Sequence, residues 1–218
     1  MNLVFLGLPG AGKGTQARLL AQRMGIPHIA TGDMLRATIA SGSPLGQEAD
    51  RYVSQGDLVP DAVMIGIIAE RLQQPDAAAG FILDGFPRTI AQAEALEAVL
   101  AGMNRRIDRV IYFEVGEDTL IRRLAGRLIC RRSGHIFNVH SKPPAISGVC
   151  DICGGELYSR DDDQADKVRH RHQVYHEQTE PLLAFYQARG LLATIKAEGN
   201  VEKITDALLA LVSPRVLP

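Results

Sequence analysis

Asn2-Leu3-Val4-Phe5-Leu6-Gly7-Leu8-Pro9-Gly10-Ala11-Gly12-Lys13-Gly14-Thr15 opens the chain, and Gln16-Ala17-Arg18-Leu19-Leu20-Ala21 follows it. An apolar, strand-like run feeds a glycine-rich turn, and the turn opens into a helix-compatible segment. Gly7 and the Gly12-Lys13 pair have the spacing of a phosphate-binding loop. Glycines let successive backbone amides point inward at an anion. The helix adds its partly positive N-terminus and Lys13 a full charge. One residue departs from the general pattern: Gly14 follows Lys13, and the hydroxyl arrives one place later, on Thr15. The stretch predicts that a phosphorylated ligand binds here.

The chain has 218 residues, enough for one or two domains and a sizeable core. A hydrophobic content of 46% with 22% charged residues is that of an ordinary globular protein. The net charge of −1 gives no global field toward nucleic acid or an anionic membrane, so local arginines must bind any anion. No apolar stretch approaches a membrane span, and Met1 runs directly into the first strand; both point to a cytoplasmic protein. Three cysteines, two of them as Cys150-Asp151-Ile152-Cys153, suggest metal chemistry in a reducing compartment rather than disulfides.

Short apolar runs recur at Ile26-Pro27-His28-Ile29, Phe81-Ile82-Leu83-Asp84, Val110-Ile111-Tyr112-Phe113 and Leu192-Ala193-Thr194-Ile195. Helical patterns such as Pro60 to Gln74 and Thr89 to Ala101 lie between them. This alternation predicts an α/β fold: a parallel sheet of about five strands wrapped by helices. Ligands in such folds sit beyond the C-terminal strand ends. Gly7 onward, Ala30-Thr31-Gly32-Asp33 and Asp84-Gly85-Phe86-Pro87-Arg88 all fall there. Residues 31–59 instead carry two consecutive helical patterns, one ending near Ser41-Gly42-Ser43 and the next starting at Pro44. Residues 127–160 hold all the cysteines and a Pro143-Pro144 pair, and read as a small, mostly β excursion. The tail from Ser213 to Pro218 reads as frayed.

With Gly7 to Thr15, Thr31-Gly32-Asp33-Met34-Leu35-Arg36 and Asp84-Gly85-Phe86-Pro87-Arg88-Thr89 in view, the chain resembles adenylate kinase, in the bacterial form with a long, metal-binding lid. The resemblance spans essentially the whole sequence. It implies a phosphate-loop fold with a five-stranded parallel core over 1–30, 60–126 and 161–218, a helical AMP-binding flap over 31–59 and a lid over 127–160. It also implies transfer of the terminal phosphoryl of ATP to AMP, giving two ADP, by a monomer using magnesium.

Phosphoryl transfer needs in-line positioning and neutralised charge, and AMP's phosphate is already a nucleophile, so cations matter more than a general base. The resemblance assigns Arg36 and Arg88 to the AMP phosphate. It places Arg127, Arg160 and Arg171 around the transferring group, with Arg160 and Arg171 also on the AMP side, and stacks Arg123 on the ATP base. Guanidinium suits these tasks because it binds phosphate bidentately and keeps its charge. Gly10, Ala11, Gly12, Lys13, Gly14 and Thr15 take the ATP phosphates. Asp84 is expected to organise magnesium and its waters, the more so because Gly14 replaces the hydroxyl that other phosphate-loop proteins place after the lysine.

Thr31, Asp57, Leu58, Val59, Gly85, Phe86, Pro87 and Gln92 match family positions around AMP. Ile136, Phe137 and Gly199 match positions near the ATP base. Gln92 has a second reading, because Thr89-Ile90-Ala91-Gln92 is a helix capping box. His170, His172 and His176, on a long helical stretch, read as surface or packing residues.

In the lid, Cys150 and Cys153 have the spacing of half a zinc knuckle, and the following Gly154-Gly155 permits a tight turn. Cys130-Arg131-Arg132-Ser133-Gly134-His135 has serine where a four-cysteine site would have its partner. A serine hydroxyl is not ionised near neutrality, whereas His135 offers a neutral imidazole. The expected ligands are Cys130, His135, Cys150 and Cys153 around a structural zinc. Two rivals remain: Ser133 in place of His135, and a metal-free lid held by a polar network.

Overall fold

The computed structural model describes residues 1–212, apart from the side chain of Leu45; the tail from Ser213 lies outside the described residues. Strand β1 (Asn2–Leu6), buried at every position, leads into helix α1 (Lys13–Met24). β2 (His28–Ala30) starts two residues later than the apolar run suggests. Pro27 has no N–H for the ladder and contributes only its carbonyl, which accepts from the Ile82 amide at 2.9 Å. Two helices follow without a strand, α2 (Thr31–Ala40) and α3 (Pro44–Val53). Ser43 caps α3 by accepting from the Gly46 amide at 3.2 Å, and Pro44 takes the first helical position.

The alternation then resumes with α4 (Asp61–Leu72), β3 (Phe81–Asp84), α5 (Ile90–Gly102), β4 (Arg109–Glu114) and α6 (Glu117–Ala125). Next come β5 (Arg127–Cys130), β6 (Ile136–Asn138) and β7 (Leu157–Tyr158), an antiparallel sheet of their own in the order β6-β5-β7. These strands are short and joined by turns and loops, and with the isolated bridges Asn138–Lys142 and Val149–Glu156 they are the regular structure of residues 127–160, a small β excursion as expected. The chain returns through α7 (Ala165–Val174), a π turn over Tyr175–Thr179, α8 (Pro181–Ala188), β8 (Leu192–Lys196) and α9 (Val201–Val212). The π turn lies where Pro181, which lacks an N–H, joins the helical run; Glu180 donates to the Tyr175 carbonyl at 2.9 Å there.

Five strands form the parallel sheet, in the order β2-β3-β1-β4-β8. Side chains alternate along β1, so Val4 and Leu6 face one way and Leu3 and Phe5 the other. Val4 and Leu6 pack with Ile68, Leu72, Leu96, Leu100, Leu182 and Tyr186 from α4, α5 and α8. Leu3 and Phe5 pack with Ala17 and Leu20 of α1 and Leu208 of α9. Each such large side chain contributes about 1.5–3 kcal/mol by leaving water, and β1 is held from both faces.

The strand order matters most for the site. It sets β2, β3 and β1 side by side, so the residues after Ala30, Asp84 and Leu6 share one edge. Helix α1, which starts at the glycine loop, is anchored to α9 by a buried polar contact. Thr205 Oγ1 donates to Gln16 Oε1 at 2.8 Å, and Gln16 Nε2 donates to the Val201 carbonyl at 2.9 Å. Thr205→Val keeps the shape and leaves Gln16 Oε1 unpaired, so denaturant unfolding should show a loss of about 1–3 kcal/mol. A loss below a few tenths would mean that this contact does not hold α1.

Candidate active site

Helix α1 has no side-chain cap: Gly12 occupies the cap position at φ 89, a left-handed conformation that glycine adopts without strain. The first-turn amides are left for an anion. Lys13 bends back over the loop, and its Nζ donates to the carbonyls of Gly7 (2.5 Å) and Leu8 (3.1 Å). Burial, together with the nearby charges of Arg88, Arg171 and Arg127, pushes the Lys13 pKa down to about 8, while Asp84 opposes the shift. Gly14 has a spatial reason as well. A Cβ there would lie 3.2 Å from Asp84 Oδ2, tighter than most real contacts, so a larger residue would press on that carboxylate.

Asp84 ends β3, with Oδ2 3.3 Å from His28 Nε2. Burial works against its charge, but the His28 hydrogen bond and the charges of Lys13 and Arg88 outweigh it, so the carboxyl titrates below its ordinary value. An ionised carboxylate beside the phosphate loop, with a glycine clearing the space before it, fits a hydrated magnesium ion.

Lys13 and Asp84 lie on the wall of a cleft of about 1340 Å³. All the nucleotide-facing residues singled out from the sequence line it: Gly10 to Thr15, Thr31, Arg36, Asp57 to Val59, Gly85 to Arg88, Gln92, Arg123, Arg127, Ile136, Phe137, Arg160, Arg171 and Gly199. Their orientations differ. Arg123 is seated against the main chain, donating to the carbonyls of Ala11 (3.3 Å) and Ala197 (2.9 Å). Arg88 Nε donates to the Gly85 carbonyl at 2.8 Å, and the Phe86–Pro87 peptide bond is cis. Phe137 is 1% exposed and also packs with Cys130, Cys150 and Leu157 in a small apolar cluster of residues 127–160.

Carboxylates hold the remaining arginines. Arg127 grips Asp163 with both Nε and Nη2, and Arg171 Nη1 meets Asp162 Oδ2 at 2.8 Å. Arg36 and Arg160 both reach Asp33 Oδ1, at 2.6 and 3.1 Å. Burial lowers the Arg171 pKa to about 10, against the raising influence of Asp162. Asp33 and Asp162 titrate low: burial opposes their charge, and the surrounding guanidiniums override it. The Arg160–Asp33 pair bridges the end of residues 127–160 to α2, and His170 Nε2 on α7 meets Asp57 Oδ1 at 2.7 Å. His172 is buried and reaches the Pro9 carbonyl at 3.4 Å, whereas His176 pairs with Glu180 on the surface.

The carboxylates of Asp33, Asp162 and Asp163 were not among the residues expected from the sequence. The run Asp161-Asp162-Asp163 directly after Arg160 was the available signal. Gln92 corrects the capping-box reading in part. Thr89 Oγ1 does accept from the Gln92 amide at 3.1 Å, but Gln92 Oε1 accepts from the Arg88 amide at 2.8 Å rather than from Thr89.

Within residues 127–160, one ligand atom from each of Cys130, His135, Cys150 and Cys153 lies within 4.8 Å of the others. Cys130 Sγ is 3.4 Å and Cys150 Sγ 3.6 Å from Cys153 Sγ, and His135 Nδ1 is 3.3 Å from Cys150 Sγ. Tetrahedral zinc with Zn–S bonds of about 2.3 Å sets its sulfurs about 3.7 Å apart, so the cage fits. Matching turns build it: Gly134 donates to the Cys130 carbonyl and Gly154 to the Cys150 carbonyl. Ser133 Oγ instead donates to Cys153 Sγ at 3.3 Å. That bond heads the causes that bring the Cys153 thiol down to about 6.

A family model described as Adenylate kinase matches residues 5–191. Curated relatives named adenylate kinase include one from Streptomyces avermitilis, 53% identical over 207 residues, and one from a Geobacillus species, 55% identical over 204 residues; each alignment covers 94% of both chains. A third, from Thermodesulfovibrio yellowstonii, is 48% identical over 215 residues, 99% of this chain and all of the relative. A match of that extent, on a chain whose phosphate loop, arginines and strand-end aspartate meet in one cleft, places this protein in the adenylate kinase family.

Proposed function

We propose that this protein transfers the terminal phosphoryl group of ATP to AMP, giving two ADP. The observation that carries this reading is the convergence of Lys13 with arginines from three separate stretches on one cleft. At about 1340 Å³ it exceeds the roughly 300–1,000 Å³ of a single-ligand pocket, which suits two nucleotides. The loop from Gly10 to Thr15 and Lys13 take the ATP phosphates, with Arg123 against the base and the Ile136 and Gly199 segments beside it. Arg36 and Arg88 take the AMP phosphate, and Thr31, Asp57 to Val59, Gly85 and Gln92 surround its nucleoside.

Arg127, Arg160 and Arg171 neutralise the moving group. Their present carboxylate partners hold the guanidiniums extended and oriented, a preorganisation that limits rearrangement when phosphate oxygens arrive. Magnesium bound with ATP would offset charge on its phosphates, with Asp84 holding it through water. AMP's phosphate attacks as an anion, so no side chain has to remove a proton.

On this reading residues 31–59 and 127–160 are the moving flap and lid on a core of 1–30, 60–126 and 161–218. Their approach over the cleft keeps water from competing for the phosphoryl group. Zinc held by Cys130, His135, Cys150 and Cys153 would make the small lid rigid enough to move as one piece. We further propose a cytoplasmic monomer working on free nucleotides without nucleic acid or membrane. Near-zero net charge supports that proposal, and among the described residues no helix is long and apolar enough to cross a membrane.

A coupled assay with ATP and each nucleoside monophosphate tests the reaction: ADP should form fast with AMP alone. Faster turnover with UMP, or only slow ATP hydrolysis, would reject the assignment. Lys13→Met and Arg88→Ala should each lower kcat/KM on the order of 10²-fold or more with the fold intact, and near-normal turnover in either would remove its role.

Bound phosphate favours charged Lys13, so ATP affinity should be full below the free-protein pKa of about 8 and weaken as pH rises through it. Calorimetry between about pH 7 and pH 9 reads this, and a flat profile would contradict it. Metal analysis should find about one zinc per chain, lost in His135→Ala and kept in Ser133→Ala. Loss only in Ser133→Ala would overturn the ligand set.

A further inference from the structure

Gln92 is 2% exposed, yet it lies on the cleft wall. A terminal amide reads as donor-then-acceptor or, flipped, as acceptor-then-donor. Adenine presents a ring acceptor beside an exocyclic amino donor, whereas guanine and hypoxanthine present a ring N–H donor beside a carbonyl acceptor. A freely rotating glutamine would satisfy either base by flipping. Selectivity through Gln92 therefore requires something that fixes its amide.

The structure supplies two fixtures of opposite character. Gln92 Oε1 accepts from the Arg88 backbone N–H at 2.8 Å, a group that can only donate. Gln92 Nε2 donates to Asp61 Oδ1 at 2.7 Å, and an ionised carboxylate can only accept. Flipping the amide would set donor against donor at Arg88 and acceptor against acceptor at Asp61. Each mispairing leaves a buried polar group unsatisfied and is strongly unfavourable. Asp61 is itself held, because its other oxygen, Oδ2, accepts from Thr89 Oγ1 at 2.9 Å, and that same hydroxyl caps α5. One N–H and one lone pair of the Gln92 amide remain for a base.

We infer that Asp61, at the first turn of α4 and behind the cleft wall, is a positioning residue for base selectivity: its carboxylate locks the Gln92 amide in the orientation that reads a 6-aminopurine and rejects a 6-oxopurine. This rests on the proposed placement of AMP's base against Gln92.

The test compares kcat/KM for AMP with that for IMP, whose base carries the 6-oxo edge without the extra amino group of guanine. Asp61→Asn, nearly isosteric, offers an amide that can pair with either orientation of Gln92, so the AMP-to-IMP ratio should fall on the order of tenfold. Asp61→Glu, which keeps an acceptor-only carboxylate, should hold the ratio near that of the unmodified protein. An unchanged ratio in Asp61→Asn, or an equal fall in both variants, would overturn the inference; a purely structural role would lower turnover with both substrates together.

If Gln92→Ala leaves the ratio unchanged, the placement of the base is wrong, a failure distinct from that of the lock. Should Asp61→Asn not fold, nuclear magnetic resonance of the unmodified protein decides. One Gln92 side-chain amide proton should be protected from exchange and scalar-coupled to the Asp61 carboxyl carbon, and two freely exchanging protons would refute the lock.

Discussion

Cations gathered out of water around one cleft repel one another, and the rest of this site is built around that constraint. Lys13 lies among Arg88, Arg127 and Arg171 with its pKa pulled down to about 8. A buried charge left unpaired is strongly unfavourable. The fold answers with carboxylates placed one by one: Asp84 near Lys13, Asp163 on Arg127, Asp162 on Arg171, and Asp33 shared by Arg36 and Arg160. Even Lys13, with the loop carbonyls of Gly7 and Leu8 as acceptors, is held ready rather than left free.

Two pairs bridge the segments proposed to move. Arg160 to Asp33 and His170 to Asp57 cross from the lid end and α7 to the two-helix segment, and both pairs are partly exposed. Exposed pairs of this kind contribute about 1 kcal/mol or less, so they can be exchanged for phosphate contacts without a large barrier. The buried Arg127–Asp163 pair is different. Asp163 is only 7% exposed, and removing either partner would strand a charge.

Much of this was legible in the residue order. The phosphate loop, the alternation of strands and helices, and the cysteine spacing are local patterns, and local chemistry accounts for them. Where the structure departs from or adds to the local reading, the cause is local in one case and long-range in the others. β2 begins at His28 because Pro27 cannot donate to a ladder. The Gln92 side chain reaches the Arg88 amide because Asp61, 31 residues away in sequence, takes its other end. Phe137 lines the cleft and also packs with Cys130, Cys150 and Leu157, a contact that no local pattern shows.

By itself the sequence determined the parallel sheet, the glycine-rich loop that opens α1, the arginines available to the cleft and the spacing of the cysteines, because each follows from residue type and spacing along a short stretch. Tertiary structure alone decided the strand order that sets β2, β3 and β1 edge to edge. It also decided which carboxylate neutralises which guanidinium, that His135 Nδ1 and Ser133 Oγ each lie beside a thiol, and that Asp61 stands behind Gln92. These are pairings between residues far apart in the chain, and a hydrogen bond or ion pair at about 3 Å is set by the packing that brings its partners together.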